Sequence, residues 1–339
     1  MIDQFIVAVT EASQVAEVRR QVAALAGQLS FGESDLGRLA ILVTEAATNL
    51  VKHAVQGEIV VRPLECQHRV GIEILALDKG PGIMNLAESL RDGHSTAGSP
   101  GTGLGAMSRL ASPFDLHSVP GKGTALWAQL WVGRDTAAER GDLLDVGVVC
   151  KARPGETICG DAWDSASYLG RQMYLVADGL GHGLGAASAA REAIRIFQAN
   201  LQHSPARILN AVHGALRSTR GAVLAIAELD PEKKSVRYAG IGNISGVIVA
   251  AGSTHHLVSM NGTAGHDVHK LREFSYPFPN SSLLVLHSDG LNTHWNLDHY
   301  PGLIAKPPSL IAGVLYRDHQ RLSDDVTVLV AKAGSSPND

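Results

Sequence analysis

The sequence predicts a mixed α/β (α+β) chain of two domains, a helix-plus-sheet unit followed by a strand-rich layered sandwich. Three observations carry this. A chain of 339 residues with 45% hydrophobic residues has room for about two cores at roughly 150 residues each. The first 132 residues place two helical periodicities ahead of four strand-like runs, whereas the remainder alternates many strand-like runs with few helices. Between them "GRDTAAERGD" is polar and almost free of large apolar residues, which marks residues 133–143 as a linker. The domains are read as 1–132 and 144–333, with 334–339 as a tail.

In chain order, Val15, Val18, Val22, Leu25 and Leu29 repeat at helical spacing, and a second amphipathic stretch follows "GESD" and runs to Ala54. The runs "EIVVRPLE" and "RVGIEILALD" read as strands. A glycine- and serine-rich segment from Asp78 to Gly105 leads into a short helix, then a hairpin pairs "FDLHSV" with "TALWAQLWV" around "PGKG". The second domain offers strands at "DVGVVCKA", "RQMYLVAD", "GAVLAIAELD", "SVRYAGIG", "SSLLVLHSD" and "DVTVLVAK". Its helices are expected at about Gly185 to Leu201, Pro205 to Arg217 and Leu310 to His319. More strands than helices imply a layered sandwich.

Composition removes several classes of function. A net charge of -4 leaves no basic stripe for a nucleic-acid backbone. No apolar run reaches the roughly 18 residues that span a bilayer, and "MIDQFIVAVT" lacks the charged start of a signal peptide, so a cytoplasmic protein is expected. Cys66, Cys150 and Cys159 are too scattered for a disulfide framework or zinc site and read as buried reduced thiols.

Two glycine-rich turns enter helices, "SPGTGLGAMSRLA" and "DGLGHGLGAASAA", eighty residues apart. At that offset Glu45 falls on Ala125 and Asp78 on Ile158, so the chain is not a tandem repeat. In the first domain "TEAATNLVKHA" sets Glu45 and Asn49 four apart with Lys52 three beyond, on one helical face. A carboxylate and carboxamide there can activate a hydroxyl and ligate Mg²⁺, while Lys52 or His53 meets phosphate charge. In "LDKGPGI" Asp78 emerges at a strand end, and Gly80 and Gly82 let the backbone turn close to a ligand. "GTGLGAM" opens a helix whose free N–H groups favour an anion. Neither glycine run fits a Walker or Rossmann pattern.

These boxes in this order resemble the ATP-binding motifs of the GHKL (Bergerat) superfamily, and most closely the anti-sigma-factor serine kinases, over residues 1–132. The resemblance implies an α/β sandwich that binds ATP. Asp78 would meet the adenine amino group with Thr124 of "GKGTAL" as a second contact, Asn49 would hold Mg²⁺, and Glu45 would act as general base. Lys52, Gly80, Gly82, Gly101, Thr102, Gly103, Leu104 and Gly105 would complete the nucleotide cradle. Residues 85–100 would form a lid over the phosphates.

In the second domain Asp161, Asp178, Asp289 and the pair Asp324 and Asp325 all stand at turns beside apolar runs. Converging carboxylates repel unless cations neutralise them, and oxygen-only ligands suit Mg²⁺ or Mn²⁺. Two such ions would acidify a water for attack on a phosphate. The ordered set "GDAW", "ADGLGHG", "SDG" and "DDVT" resembles the SpoIIE-like branch of the type 2C phosphatases, an α-β-β-α sandwich. By that resemblance Asp178 bridges both metals and is central to catalysis, and the Gly179 carbonyl, Asp161, Asp289 and Asp324 complete the ligands. Adjacency leaves Asp324 against Asp325 open. Leu180 stands where larger relatives carry a histidine. His182 is read as a helix N-terminal residue near solvent, Arg153 as a surface arginine, and "HDVH" as no metal cluster.

Together the two resemblances imply a partner-switching regulator whose phosphatase acts on a phosphorylated STAS-domain anti-sigma antagonist, with a sigma factor or other switch protein as further partner and a homodimer as its assembly. The first domain is then either a serine kinase for the same kind of partner or an ATP-binding gate on the phosphatase. A switch that only sequesters partners is the non-enzymatic rival, and it predicts lost acidic ligands.

Overall fold

The computed structural model describes residues 4–66, 69–89, 103–133, 146–250, 252–268 and 270–332. By contact the chain divides into residues 1–143 with 296–317, and residues 144–295 with 318–339.

The first unit is built on β1 (Phe5–Ala8), α1 (Ala12–Gln28), α2 (Glu33–His53), β2 (Glu58–Cys66), β3 (Arg69–Leu77), α3 (Leu86–Ser89), α4 (Gly103–Leu110), β4 (Phe114–Ser118) and β5 (Thr124–Trp131). Helix α1 begins with a capping box in which Glu11 and Gln14 satisfy each other's free backbone groups. "GESD", expected to precede α2, instead supplies its first turn, where Glu33 and Asp35 complement the positive helix end. The strands form one antiparallel sheet in the order β1-β2-β3-β5-β4.

Alternation along the strands gives this sheet two buried faces. Ile59, Val61, Ile72, Ile74, Leu126, Ala128 and Leu130 pack with Val18, Val22, Leu39, Leu42, Val43 and Ala46 of α1 and α2 and with Met107 of α4. The opposite face presents Leu75, Leu77 and Glu73. It receives α7 (Pro308–His319), most of which contact assigns to this unit although the sequence reading placed it in the second domain. A Cβ on Gly313 would stand 3.0 Å from Leu77 Cδ2, so helix and sheet are in close contact.

Polar ties fix the docking of this segment. Glu73, buried, accepts hydrogen bonds from Arg62 Nε at 2.9 Å, Trp127 Nε1 at 2.8 Å, Gln129 Nε2 at 3.1 Å and Ser309 Oγ at 2.8 Å. Tyr316 Oη donates to Glu58 at 2.7 Å, Lys306 pairs with Asp115 at 2.7 Å, and the Lys122 amine donates to the His299 carbonyl at 3.0 Å. Glu73→Gln is expected to cost about 3 kcal/mol in urea unfolding, because the buried Arg62 loses its carboxylate partner.

The second unit contains β6 (Val146–Lys151), β7 (Asp161–Tyr168), β8 (Arg171–Gly179), α5 (Gly183–Gln198), α6 (Pro205–Ala215), β9 (Ala222–Asp230), β10 (Ser235–Ile241), β11 (Ser245–Ala250), β12 (Ser253–His256), β13 (Phe274–Pro277), β14 (Leu283–His287) and β15 (Val326–Lys332). They form two antiparallel sheets, β13-β10-β9-β8-β7 and β12-β11-β14-β15-β6. Tyr174, Val176, Ala225 and Tyr238 of one meet Val148, Ile248, Leu284, Leu286 and Leu329 of the other in a shared core. Helices α5 and α6 cover the other face of the first sheet through Ala189, Ala193, Phe197, Ile208, Leu209 and Val212.

Strand β7 was not expected, because "DAWDSASY" lacks apolar alternation and becomes a strand through its pairing with β8. The edge strands β12 and β13 are short and largely exposed, which hides them from periodicity. Cys66, Cys150 and Cys159 are free thiols, half-buried where full burial was expected. Among the described residues no helix is long and apolar enough to cross a membrane.

Candidate functional site

In the first unit, β3 ends at Leu77 and delivers Asp78 into the turn that Gly80 and Gly82 allow. Gly82 has φ of +71°, and a Cβ there would lie 2.4 Å from the Val119 carbonyl oxygen, so this turn admits only glycine. Asp78 Oδ1 accepts the Gly80 N–H at 2.6 Å. Burial lifts its carboxyl above the ordinary value, opposed by the N–H groups of Gly80 and Thr124 and by the charges of Arg317 and His53. Thr124, first residue of β5, accepts the Asp78 N–H on its carbonyl at 2.9 Å and places Oγ1 2.9 Å from Ser118 Oγ. Arg317 of α7 donates to the Asp78 carbonyl at 3.0 Å.

Glu45 and Asn49 share a half-buried face of α2. A Cβ at Gly103 would stand 3.1 Å from Glu45 Oε2 and 3.9 Å from both amide atoms of Asn49, so the start of α4 faces these two side chains. Leu104 is half-buried and Gly105 buried in the first turn of α4. Lys52 is exposed in the last turn of α2. Gly101, Thr102 and the lid from residue 90 to 100 lie outside the described residues. A strand-end carboxyl, a glycine-lined turn and a helix start opposite Glu45 and Asn49 fit a nucleotide with its metal. Gly123 was missed by sequence reasoning: with φ of +84° and a would-be Cβ 1.9 Å from the Asp78 carbonyl oxygen, it lets the hairpin turn close against the Asp78 backbone.

In the second unit, Asp161 and Asp178 are directly paired across β7 and β8. Burial, and then Asp161, Asp289, Asp324 and Asp325 around it, hold the Asp178 carboxyl well above the usual range. Asp161 is likewise raised by burial and by Asp325 and Asp289, against the hydroxyls of Ser288 and Thr327. Ser288 Oγ donates to Asp161 Oδ2 at 2.6 Å and accepts the Thr327 N–H at 2.9 Å, fixing one oxygen and leaving the buried Oδ1 without a hydrogen-bond partner among the described residues. Asp289 repeats this pattern. Asn243 Nδ2 donates to its Oδ2 at 2.8 Å, and Oδ1 is buried without a hydrogen-bond partner among the described residues.

The adjacent carboxylates differ in environment. Asp325 is buried, with Oδ1 accepting the Arg153 N–H at 2.8 Å and Oδ2 the Gly160 N–H at 2.9 Å. Asp324 is half-buried and, among the described residues, accepts only the neighbouring Asp325 N–H, at 2.9 Å. Gly179 donates its N–H to the Gly160 carbonyl at 3.2 Å and packs so tightly on α5 that a Cβ would lie 2.0 Å from the Ala186 carbonyl oxygen. His182 is the N-cap residue of α5, half-exposed, with Nδ1 2.6 Å from Glu156 Oε1.

Buried carboxylate oxygens without donors are costly unless cations meet them, so the set fits hard divalent ions. Among the described residues no three of these side chains close on one point at ligand distance. The oxygen-only donor chemistry suits ions of the Mg²⁺ type, which take carboxylate and carbonyl oxygens and keep several waters. Sequence reasoning missed Ser288, Asn243 and Thr327; "HSDG" holds a signal for the first alone, as the residue before a site aspartate.

Comparison with known proteins agrees with this geometry. The family described as "Histidine kinase-like ATPase domain" matches residues 8–130, and "Stage II sporulation protein E (SpoIIE)" matches residues 170–334. Serine/threonine-protein kinase RsbT of Bacillus subtilis is 33% identical over 132 residues, 39% of this chain and 99% of that protein. Phosphoserine phosphatase RsbX of the same organism is 25% identical over 142 residues, 41% of this chain and 71% of that protein. A solved structure described as the bacterial stressosome, a modular system adapted to control secondary messenger signaling, is 31% identical with a TM-score of 0.53, covering 56% of this chain and all of that one. With its nucleotide-type cradle in one unit and its acidic cluster in the other, the chain belongs to the RsbT-type histidine kinase-like ATPases and carries a SpoIIE-type serine phosphatase domain behind that ATPase domain, a partner-switching architecture.

Proposed function

We propose that the chain works in the cytoplasm as a two-way switch on one kind of partner, a STAS-domain anti-sigma antagonist. The second unit removes phosphate from its phosphoserine and the first replaces it from ATP. The observation that carries the phosphatase half is the pair of buried, donor-less oxygens on Asp161 and Asp289 beside the raised carboxyl of Asp178. When bound, Mg²⁺ or Mn²⁺ held by Asp161, Asp178, Asp289, Asp324 and the Gly179 carbonyl would neutralise phosphoryl oxygens and acidify a water. Ser288 and Asn243 orient Asp161 and Asp289 toward that role. Asp325 is assigned as a latch, since both its oxygens hold the backbone of the loop that leads to Asp161.

In the ATPase unit, Asp78 and Thr124 would receive the adenine and Asn49 would hold the nucleotide's Mg²⁺, while Glu45 would take the proton of the serine hydroxyl that attacks the terminal phosphorus as ADP leaves. Lys52 and the backbone at the start of α4 face the phosphates. The test is incubation of the purified chain with candidate STAS proteins, with ATP and Mg²⁺ or with Mn²⁺ alone, followed by intact-mass measurement. Mass gain in the first mixture and loss from phosphorylated partner in the second are expected. No change in either overturns the assignment.

A second reading, in which ATP gates the phosphatase, is favoured by one observation. The segment 296–317 belongs by contact to the ATPase unit, yet in sequence it lies between Asp289 and Asp324. Within it, Arg317 holds the carbonyl of the adenine-site residue Asp78. ATP is therefore expected to change the Mn²⁺-dependent phosphatase rate, and Arg317→Ala to abolish that response with the nucleotide-free rate retained. An unchanged ATP response in the variant removes this reading.

A further inference from the structure

Near the acidic cluster stands a cation that the chemistry above does not use. Arg220 closes the connection from α6 to β9. The next residue, Gly221, accepts the Leu180 N–H on its carbonyl at 3.0 Å, and Ala222 and Val223 then pair with Gly179 and Asp178. The Arg220 backbone is held, its carbonyl 2.8 Å from the His266 ring. Its guanidinium lies along the first turn of α5. A Cβ at Gly185 would stand 2.6 Å from both Cζ and Nε, and one at Gly181 3.4 Å from Nη1. The side chain is exposed and has no hydrogen-bond or ion-pair partner among the described residues.

Three features separate it from an ordinary solvated arginine. Gly185 sits in a helix, where alanine would be better by about 1 kcal/mol, and its missing Cβ is the space the guanidinium fills. The positive end of α5 lies beneath; Glu156 meets it at His182 and Gly183, while the guanidinium lies along Gly181 and Gly185. Leu180 and Leu184 flank the same turn, 39% and 66% exposed, apolar surface that loses its water only when another molecule covers it. Arginine is among the residues enriched at interface anchors. Gly181 follows Asp178 by three residues, so the patch lies within about 10 Å of that aspartate along the chain, the reach of three or four residues of an extended substrate.

We propose that Arg220, framed by Leu180 and Leu184, is a specificity-determining residue that binds a carboxylate of the protein substrate three or four residues from its phosphoserine. This rests on the phosphatase reading. The test uses the full chain with Mn²⁺ and three substrates: p-nitrophenyl phosphate, a phosphoserine peptide with an acidic residue three positions away, and the same peptide with glutamine there. Wild type is expected to favour the acidic peptide. Arg220→Ala should raise its KM about tenfold, the effect of losing an interface anchor, with the glutamine peptide and aryl phosphate unaffected. Gly185→Ala should raise the same KM by displacing the guanidinium while keeping or raising thermal stability. Equal losses on aryl phosphate, or no KM change on the acidic peptide, overturn the proposal. Hydrolysis of none of the three by wild type overturns the phosphatase reading instead.

Discussion

Asp178→Asn is expected to lower Mn²⁺-dependent hydrolysis of a phosphoserine partner by at least about 10³ and, in the same protein, to raise the melting temperature of the metal-free chain. The first effect follows from removing the carboxylate that every other acid of the cluster surrounds, since ion-borne stabilisation of a phosphoryl transition state is worth several kcal/mol, at about 1.4 kcal/mol per tenfold. The second follows from its environment. Burial and four neighbouring carboxylates oppose a charge at Asp178, and asparagine keeps the shape and the β8–β9 backbone pairing while removing that charge. About 1 kcal/mol of stabilisation, or roughly 2–4 °C, is the expected gain. Thermal scans with and without Mn²⁺ check both halves, because the variant should also lose much of the rise that the metal gives wild type. Retained activity, or a metal-free melting point that falls, would be incompatible with the two-metal assignment.

Glu45→Ala should reduce phosphate transfer from ATP to a STAS partner by about 10²–10⁴, the usual contribution of a positioned base, and leave ATP binding near its wild-type level. Glu45 sits on the side of the cradle where α2 faces the start of α4, while Asp78, proposed to meet the adenine, follows the end of β3. Loss of the base should therefore separate chemistry from binding. Labelled ATP with wild type and variant side by side decides it, nucleotide affinity being measured in parallel. Equal labelling would leave the first unit as an ATP sensor. Mn²⁺-dependent hydrolysis by the second unit should be the same in both proteins.

More of the side chains of the two candidate sites were legible in the sequence than of the partners that hold them. Asp78, Asp178 and Asp289 were legible because each closes an apolar run and has a glycine one or two residues later, a local pattern that needs no distant partner. Asp324 and Asp325 could not be separated, because what distinguishes them is the backbone N–H groups of Arg153 and Gly160, far away in the chain. Asn243 and Thr327 were hidden for the same reason. Helix α7 was visible as a helix, yet its membership was not. Leu310, Ile311, Val314, Leu315 and Tyr316 are all buried, so the helix is apolar all round, which signals burial and says nothing of what covers it. The carboxylate of Glu73 reaching Ser309 supplies that answer only in three dimensions.

The place of α7 also sets a timetable for synthesis. When the ATPase sheet has left the ribosome, the helix that covers Leu75 and Leu77 is still nearly two hundred residues from being translated. At ~5–20 residues per second the growing chain carries that bare apolar face for roughly ten to forty seconds, with the Glu73 carboxylate still lacking its Ser309 donor. During that interval the bare face is open to chaperones or to transient self-contacts. A gene cut at the linker would make the interval permanent.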